Sequence, residues 1–424
     1  MGDADEVTFA PMEALFDGLG GLDVSRVKPL AELASGSYNY FAEGDILLAK
    51  VTPCFESGKK AIARNLTNGV GFATSEVHVI RADRSKIETR FLRYLLCSED
   101  FRAEGMRSMT GAGGLRRVSE NAILDFRPKI TDKKIQRAIA DFLDRETARI
   151  DQLIQKKERL VEVVDEKRSS MITAAVTGRV DPAAAGHSPP KGIAKHGQLS
   201  FDALPSDWSV RRIKTISPVM RGASPRPIDD PAYFDERGEY AWVRISDVTA
   251  SKGLLLETAQ RLSERGAAKS VKLGIGELFL SIAGSVGKPC ITGIKACIHD
   301  GFVYFPFLPK DSQKFLYWIF ESHECFSGLG KLGTQLNLNT ETVGNIAIPF
   351  PPISTQRTLA EFLDDRIAEI DRLRERMLNS VDRLREFRAA LITAAVTGQI
   401  DVKTWGKKGT TDRRLDQIEE SMSA

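Results

Sequence analysis

The same seven-residue sequence, Ile-Thr-Ala-Ala-Val-Thr-Gly, occurs twice in this chain, at residues 172–178 and 392–398. It closes a longer repeat, in which residues 136–181 align with 356–401 at a constant offset of 220, and 21 of the 46 positions are identical. A self-match at a fixed offset is typical of a duplicated architecture. The chain is therefore predicted to fold as two related halves.

Both copies of the repeat are predicted to be long helices. Neither Gly nor Pro occurs from Thr131 to Thr177 or from Ile353 to Thr397, and the abundant Ala, Leu, Glu and Arg favour helix. Gly178 and Gly398 stand where a left-handed residue commonly ends a helix. About 45 helical residues would form a rod roughly 70 Å long.

Apolar residues recur at heptad spacing in each helix, which is typical of a coiled coil. The predicted columns are Ile150, Lys157, Val164, Met171 and Leu153, Leu160, Lys167, Ala174 in the first helix, and Ile370, Met377, Leu384, Leu391 and Leu373, Ser380, Phe387, Ala394 in the second. Val161 and Val381 are predicted to widen the two apolar stripes. We predict that the two helices pack antiparallel. A parallel pairing stays open, because the segment between them could return the chain along the rod.

The segments before each helix share a faint order of elements and read as two domains of the same α/β fold. Each has a turn and a buried strand, at residues 44–50 and 276–282. Each continues with a short apolar helix and a polar, Gly-rich loop, at residues 91–96 and 109–121 in the first segment and 315–320 and 330–342 in the second.

Composition sets few limits on function. The net charge is only +3, so any basic surface must come from local arrangement. No apolar run has the length of a membrane span. The five cysteines form no CxxC pair, which favours reduced thiols in a cytoplasmic protein. The five histidines are scattered, and neither a metal site nor a catalytic constellation is predicted.

The loops after the buried strands lack the GxxxxGK[ST] spacing of a nucleotide-binding loop. Their lysines are instead predicted to contact DNA phosphates, while arginine and amide side chains of the later loops could pair with guanine and adenine. The candidate DNA-binding residues are Lys50, Lys59, Lys60, Thr110, Arg116, Arg117, Ser281, Lys288, Gln335, Asn337 and Asn339. The alternative for each is a solvated loop residue.

The blocks at 136–144 and 356–364, each closing with the repeated heptapeptide, resemble the specificity subunits of type I restriction-modification systems. The strand at 44–50 and the sequence Leu-Pro-Ser-Asp-Trp at 204–208 are also similar to that family. The resemblance covers residues 5–401.

The resemblance implies an α+β fold with pseudo-twofold duplication, in which two similar α/β target recognition domains are separated by two long antiparallel helices. Each domain would read one half of a bipartite, asymmetric DNA site. The implied boundaries are 1–130 for the first recognition domain, 131–181 for the central spacer helix, 182–200 for a linker, 201–352 for the second recognition domain, 353–400 for the distal spacer helix and 401–424 for a C-terminal tail.

The implied partners are double-stranded DNA, two methyltransferase subunits and restriction subunits, with no membrane. The chain itself would not be an enzyme and would hold no cofactor, because S-adenosylmethionine and ATP with Mg²⁺ belong to the partner subunits. The residues predicted to dock those subunits are Gln136, Phe142, Leu143, Gln356, Phe362 and Leu363.

Two other functions compete with this interpretation. A coiled-coil scaffold that does not read DNA would have the same helices. A stand-alone DNA methyltransferase would need an NPPY- or DPPY-type motif, and the sequence at 349–352 lacks the leading Asn or Asp.

The two domains also differ in length. The first has 43 residues before Gly44, whereas the second has 72 from Leu204 to its equivalent turn. The first therefore lacks a counterpart of Trp208. Three explanations are open: the first domain belongs to a shorter subtype, its N-terminus is trimmed, or another segment completes it. For the third, we hypothesise that the tail after Gly398, which contains Trp405, completes the first domain.

Overall fold

The computed structural model describes residues 2–18, 21–34, 36–111, 114–180, 193–194, 204–327, 329, 338–407 and 409–423. They form two compact units. The first unit combines residues 1–161 with 376–424, and the second comprises residues 162–375. The predicted linker at 182–200 lies almost entirely outside the described residues.

The first unit alternates short strands with helices. Its elements are β1 (Glu6–Ala10), β2 (Val27–Pro29), α1 (Leu30–Ala34), β3 (Tyr38–Ala42), β4 (Ile46–Ala49), β5 (Lys60–Ile62), β6 (Val70–Thr74), β7 (Val77–Ile80), α2 (Thr89–Leu95), α3 (Glu99–Arg107), α4 (Glu120–Leu124) and the first part of α5 (Lys133–Val176).

The second unit takes up the rest of α5 and continues in the same manner. Its elements are β8 (Ile193–Ala194), β9 (Leu204–Pro205), β10 (Ser209–Arg212), β11 (Met220–Arg221), β12 (Tyr240–Val243), α6 (Ile245–Ala250), β13 (Leu254–Leu255), β14 (Gln260–Leu262), α7 (Glu264–Ala267), β15 (Val271–Leu273), β16 (Leu278–Ser281), β17 (Pro289–Thr292), β18 (Ala296–Ile298), β19 (Phe302–Tyr304), α8 (Lys310–Glu321), α9 (Thr340–Asn345), β20 (Ala347–Phe350) and α10 (Ile353–Val396). The end of α10 returns to the first unit, where α11 (Val402–Lys407) and α12 (Thr410–Ser423) follow.

The two units share one strand order. In the first, a four-stranded sheet runs β2-β1-β6-β3, with β1 and β6 parallel. In the second, the matching sheet runs β14-β12-β18-β15, with β12 and β18 parallel. A second sheet, β5-β4-β7, corresponds to β17-β16-β19, to which β11 and β13 add edges. This correspondence confirms the predicted duplication.

The long helices are antiparallel, and ion pairs inside each unit show the direction. In the second unit Arg168 Nε lies 3.0 Å from Asp371 Oδ1, and Arg374 Nε lies 2.7 Å from Asp165 Oδ1. In the first unit Arg385 Nη2 lies 2.7 Å from Glu158 Oε1. Residues later in one helix thus pair with residues earlier in the other, which confirms the predicted direction.

The predicted seam was half wrong. The column that contains Ile150 and Lys157 is buried as expected, but the second column of the first helix is Ile154 and Val161, and Leu160 is 48% exposed. In α10, Ser380 of the predicted column is buried, and so is Val381, which like Val161 was predicted to widen its stripe, whereas Leu373 is 44% exposed. The column that is buried contains arginines that pair with aspartates. The apolar pattern of the sequence therefore does not reveal this column.

Both long helices end on the predicted glycines. Gly178 and Gly398 have φ values of +70° and +75°. The next amide in each case, from Arg179 or Gln399, donates to a carbonyl five residues earlier, at 2.7 and 2.8 Å. This is the Schellman arrangement, in which a left-handed glycine satisfies the last carbonyls of a helix.

The units differ where the sequence lengths differ. In the second unit β10 pairs antiparallel with β20, and Trp208 is buried beside that pair. In the first unit the matching segment, residues 126–130, forms no strand. Pro128 stands there at the position equivalent to Ile348, and a proline has no N–H to donate to a strand partner.

The C-terminal tail forms two helices that pack within the first unit. Leu415 and Ile418 of α12 are buried in the cluster that contains Leu391 and Ile392 of α10, and Trp405 is partly buried against it. Lys157 Nζ of α5 lies 3.3 Å from Glu419 Oε1. This packing supports the hypothesis that the tail completes the first domain.

Candidate nucleic-acid interface

In the first unit, a structured loop lies on the end of β4 and brings together several of the predicted DNA-binding residues. Thr52 holds the loop: its Oγ1 donates to Gly114 O at 2.8 Å and accepts from Arg116 N at 3.0 Å. Val118 N donates to Lys50 O at 2.8 Å. Strand end and loop therefore place Lys50, Thr110, Arg116 and Arg117 at one edge of the unit.

The two arginines of this loop have different environments. Arg117 binds Glu76 with two nitrogens, Nη2 to Oε1 at 2.7 Å and Nε to Oε2 at 2.9 Å. The hydrogen bond from Arg117 lowers the pKa of Glu76. Arg116 is exposed and makes no side-chain hydrogen bond or ion pair with any described residue. Arg116 is therefore the guanidinium available to a ligand, whereas Arg117 would first have to leave Glu76.

The tip of the loop adds a residue that sequence reasoning missed. Leu115 is 56% exposed, and apolar side chains can contact the thymine methyl group in the major groove. Gly111 has a φ of +133° and lets the two sides of the loop approach closely. An added Cβ at this position would lie 2.4 Å from Leu115 O. Exposure of an apolar loop residue depends on this backbone path, which the sequence does not reveal.

Lys59 and Lys60 do not present free amines at this edge. Lys59 Nζ donates to Leu15 O at 2.9 Å. Lys60 is buried, and its Nζ lies 3.5 Å from Cys97 Sγ. Lys60 therefore does not lie at the edge that presents Lys50 and Arg116, because β5 begins at this residue and turns its side chain inward.

The second unit places its predicted residues less favourably. Ser281 is fully buried at the end of β16 and donates to Ala283 O at 2.8 Å, so its prediction as a DNA contact is wrong. Lys288 Nζ donates to Thr249 O at 3.3 Å. Asn339 is exposed, and its Oδ1 caps α9 by accepting from Thr342 N at 2.8 Å. Gln335 and Asn337 lie outside the described residues.

A polar cluster that was not predicted lies at the carboxyl ends of the parallel strands β12 and β18. Arg244 follows β12, and Asp300 comes shortly after β18. Ser224 Oγ donates to Asp300 Oδ1 at 2.7 Å, and this hydrogen bond lowers the pKa of Asp300. Arg226 Nη2 lies 3.3 Å from Asp300 Oδ2 and is 71% exposed. These residues are far apart in sequence, and only the strand pairing brings them together.

The residues predicted to dock partner subunits fasten the long helices to their own units. Gln136 is fully buried, donates from Nε2 to Thr131 O at 2.8 Å and accepts from Glu88 N at 2.8 Å. Gln356 is equally buried and donates to Pro351 O at 2.8 Å. Phe142, Leu143 and Leu363 are buried, and Phe362 is half-buried. Buried side chains offer a partner no surface, so the docking role does not fit these positions.

The described part of the chain contains no group of three or more His, Cys, Asp or Glu side chains that could hold a metal ion. None of its helices is both long and apolar enough to cross a membrane.

Two units of equal strand order, which carry their exposed polar side chains at different strand ends, define a class of proteins with two recognition domains on one helix pair. Residues 205–383 match the family described as type I restriction modification DNA specificity domain. Residues 205–383 thus carry a type I restriction modification DNA specificity domain, and the chain as a whole is similar to specificity subunits of type I restriction enzymes.

Individual relatives agree with this assignment. The chain is 23% identical to the type I restriction enzyme EcoEI specificity subunit of Escherichia coli, over 93% of this chain and 79% of that protein. It is 36% identical to the EcoAI specificity subunit of Escherichia coli, over 31% of this chain and 23% of that protein. A chain in a solved structure of a type I R-M system superposes with a TM-score of 0.71 at 17% identity, covering 94% of this chain and 93% of that one, which shows the common fold.

Proposed function

We propose that this chain is the sequence-specific DNA-binding subunit of a type I restriction-modification complex and reads a bipartite, asymmetric site. The observation that carries the proposal is the duplication with divergence. The matching strands β4 and β16 lead into Lys50 in the first unit and into the buried Ile282 in the second, whereas the second unit places Arg244 and Arg226 by the ends of β12 and β18. Two different edges on one repeated frame suit two different half-sites.

In the first unit, Arg116 is the side chain best suited to read a base. A guanidinium can make two hydrogen bonds to guanine O6 and N7 in the major groove. Thr52 fixes the backbone of Arg116 through two hydrogen bonds, at 2.9 and 3.0 Å. Because the backbone of Arg116 is already fixed, less conformational entropy is lost when its guanidinium binds a base.

In the second unit, Arg226 and Arg244 flank the Asp300 cluster. Arg244 Nη2 donates to Gln260 Oε1 at 2.5 Å, which orients the guanidinium. Asp300 holds Arg226 and Ser224 together. We assign the reading of the second half-site to this edge, together with Asn339.

We assign the recognition domains to residues 1–130 and 201–352 and the spacer helices to 131–181 and 353–400. Methyl transfer and DNA cleavage would reside in methyltransferase and restriction subunits. Leu160 and Val163 on α5 and Leu373 and Leu378 on α10 are exposed apolar side chains. They offer the methyltransferase subunits a surface that the buried residues do not.

Methylation mapping tests the function directly. The chain would be expressed with the methyltransferase subunit from the same organism in a host without methylation, and modified bases would be located across the genome. The expected result is one interrupted motif with two different halves, which disappears when this chain is omitted. A scaffold that does not read DNA would give no sequence-selective retention and no such motif.

A further inference from the structure

We propose that a cavity in the first unit binds a phosphate group, with Lys60 as its central contact. The cavity has a volume of about 130 Å³ and lies between β5, α3 and α10. Its charged lining residues are Lys60, Arg102, Arg388, Glu56 and Glu99. Neither the reading of DNA bases nor the docking of subunits assigns a role to this cavity.

The first observation is a buried ammonium without an acid. Lys60 is 7% exposed, and Cys97 Sγ at 3.5 Å is the polar partner of its Nζ. No carboxylate of the described residues lies within ion-pair distance of Lys60. An unpaired buried charge is strongly unfavourable, so a ligand of negative charge would satisfy this amine.

The second observation comes from the duplication. The second unit shows which residue occupies the position that matches Lys60. Lys60 pairs with Leu48 in the first unit, and Pro289 pairs with Leu280 at the matching place in the second. Pro289 is buried there. The fold therefore accepts an uncharged residue at this position and does not itself require a lysine.

The first unit also lacks an acidic residue that the second unit has at the end of the matching helix. Ser98 and Ser322 each donate to the carbonyl three residues earlier at 2.7 Å, which aligns the two helix ends and makes Cys97 the counterpart of Glu321. In the second unit Glu321 Oε1 accepts from Arg168 at 3.1 Å. The counterpart of Arg168 is Arg388, at the offset of 220. At these two positions the first unit has a lysine where the second has a proline, and a cysteine where the second has a glutamate.

The other two cations of the lining already have acidic partners. Arg388 pairs with Asp151, and Arg102 lies 3.9 Å from Glu99. Glu56 lines the cavity but forms no ion pair with Lys60. Lys60 is therefore the cation of this lining that has no carboxylate within ion-pair distance among the described residues, and it suits an anionic group.

The size of the cavity limits the ligand. A cavity of about 130 Å³ is smaller than the roughly 300–1,000 Å³ of sites for drug-sized ligands. It suits one tetrahedral oxyanion, and the rest of any larger ligand would lie outside the cavity. The phosphate could be a free ion or one group of a DNA backbone. Only the second source depends on the proposed function.

Thermal unfolding of the full chain tests the site, with potassium phosphate compared to potassium chloride at equal ionic strength. At about ten times Kd, phosphate should raise the Tm of the first unit by about 3 °C beyond chloride. Lys60→Met should abolish this increment without lowering Tm in chloride, because Met fills the site without a charge. Lys86→Met, an exposed change in the same unit, should keep the increment.

The proposal is overturned if phosphate gives no increment in the unaltered chain, or if Lys60→Met keeps it. A second arm separates the two sources of phosphate. If the group belongs to DNA, Lys60→Met should weaken binding to all duplexes and reduce the slope of log K against log salt by about one. If the ion is free, that slope should stay unchanged while the phosphate-dependent rise in Tm is still lost.

Discussion

At the scale of single residues, equal residue types can have unequal roles, and adjacent arginines show why. Arg116 and Arg117 are neighbours in sequence, but the second is held by Glu76 and the first is free in the described structure. The sequence alone could not rank them, because Glu76 is 41 positions away from Arg117.

Arg116→Ala should therefore relax recognition at one base pair of the first half-site and leave the second half-site intact. The loss of a bidentate contact to guanine is worth about 1–3 kcal/mol of discrimination. Arg226→Ala should act on the second half-site only. Selection of bound sequences from a random duplex pool measures both, with Arg127→Ala as an exposed control in the first unit.

Equal losses at both half-sites in either variant would show that the units do not read independently.

A second prediction concerns Asp45, which is buried behind its pair with Arg81. Burial raises the pKa of Asp45, but the hydrogen bonds from Arg81 and Ala42 outweigh it, and the net pKa is lowered. Arg81 Nη2 lies 2.6 Å from Oδ2, and Ala42 N donates at 2.8 Å. A lowered carboxyl pKa stabilises the fold above the unfolded value of about 4 and loses that contribution as the pH falls through the folded value.

Asp45→Asn should therefore lower the free energy of unfolding at pH 7, by about 1–3 kcal/mol, and the difference from the unaltered chain should shrink below pH 4. Urea unfolding of both chains at pH 7 and at pH 3.5 measures this difference in the free energy of unfolding. A deficit that is equally large at pH 3.5 would contradict the assignment to the ionised carboxylate.

At the scale of elements, the sequence predicted which long helices exist and how long they are better than it predicted which of their residues are in contact. Both long helices were found, with their starts within two residues and their ends at the predicted glycines, because Gly, Pro and helix propensity are local signals; the spacer boundaries 181 and 400 lie four to five residues beyond the helix ends. The seam was half wrong, because Leu153 and Ile154 are both apolar and adjacent, and the arginines that mark the true column look like surface residues. The Asp300 cluster could not be predicted, since it depends on which strands pair.

The tail gives a prediction at this scale. Leu415 of α12 is 5% exposed in the core of the first unit. Leu415→Ala should lower the stability of that unit by about 2–5 kcal/mol. Removal of residues 402–424 should have a larger effect of the same sign.

Differential scanning calorimetry measures both changes, and Asp416→Ala on the exposed side of α12 serves as the control. An unchanged melting profile after removal of the tail would refute the hypothesis that it completes the first domain.

At the scale of the whole molecule, α5 and α10 each contain 44 residues and belong to both units. Each helix is about 66 Å long at 1.5 Å per residue. We expect the pair to set the number of base pairs between the half-sites, as dimer geometry does for paired DNA-binding motifs.

Insertion of seven residues at matching positions in both helices should change the preferred gap and leave both half-site sequences intact. Seven residues preserve the heptad seam, whereas insertion in one helix alone should disrupt it. Methylation mapping of the variants measures the gap. The same gap after the double insertion would exclude a role for the helices as a spacer.

The ion pairs along the seam have a consequence for how such a chain can originate. Arg168 pairs with Asp371, and Arg388 pairs with Asp151. Under the offset of 220 these are one contact made twice, since Asp371 corresponds to Asp151 and Arg388 to Arg168. A fragment with only the first helix and its domain carries both partners, so two copies could pair as a homodimer and select a palindrome. Gene fusion of such a homodimer would free each half to change its target separately.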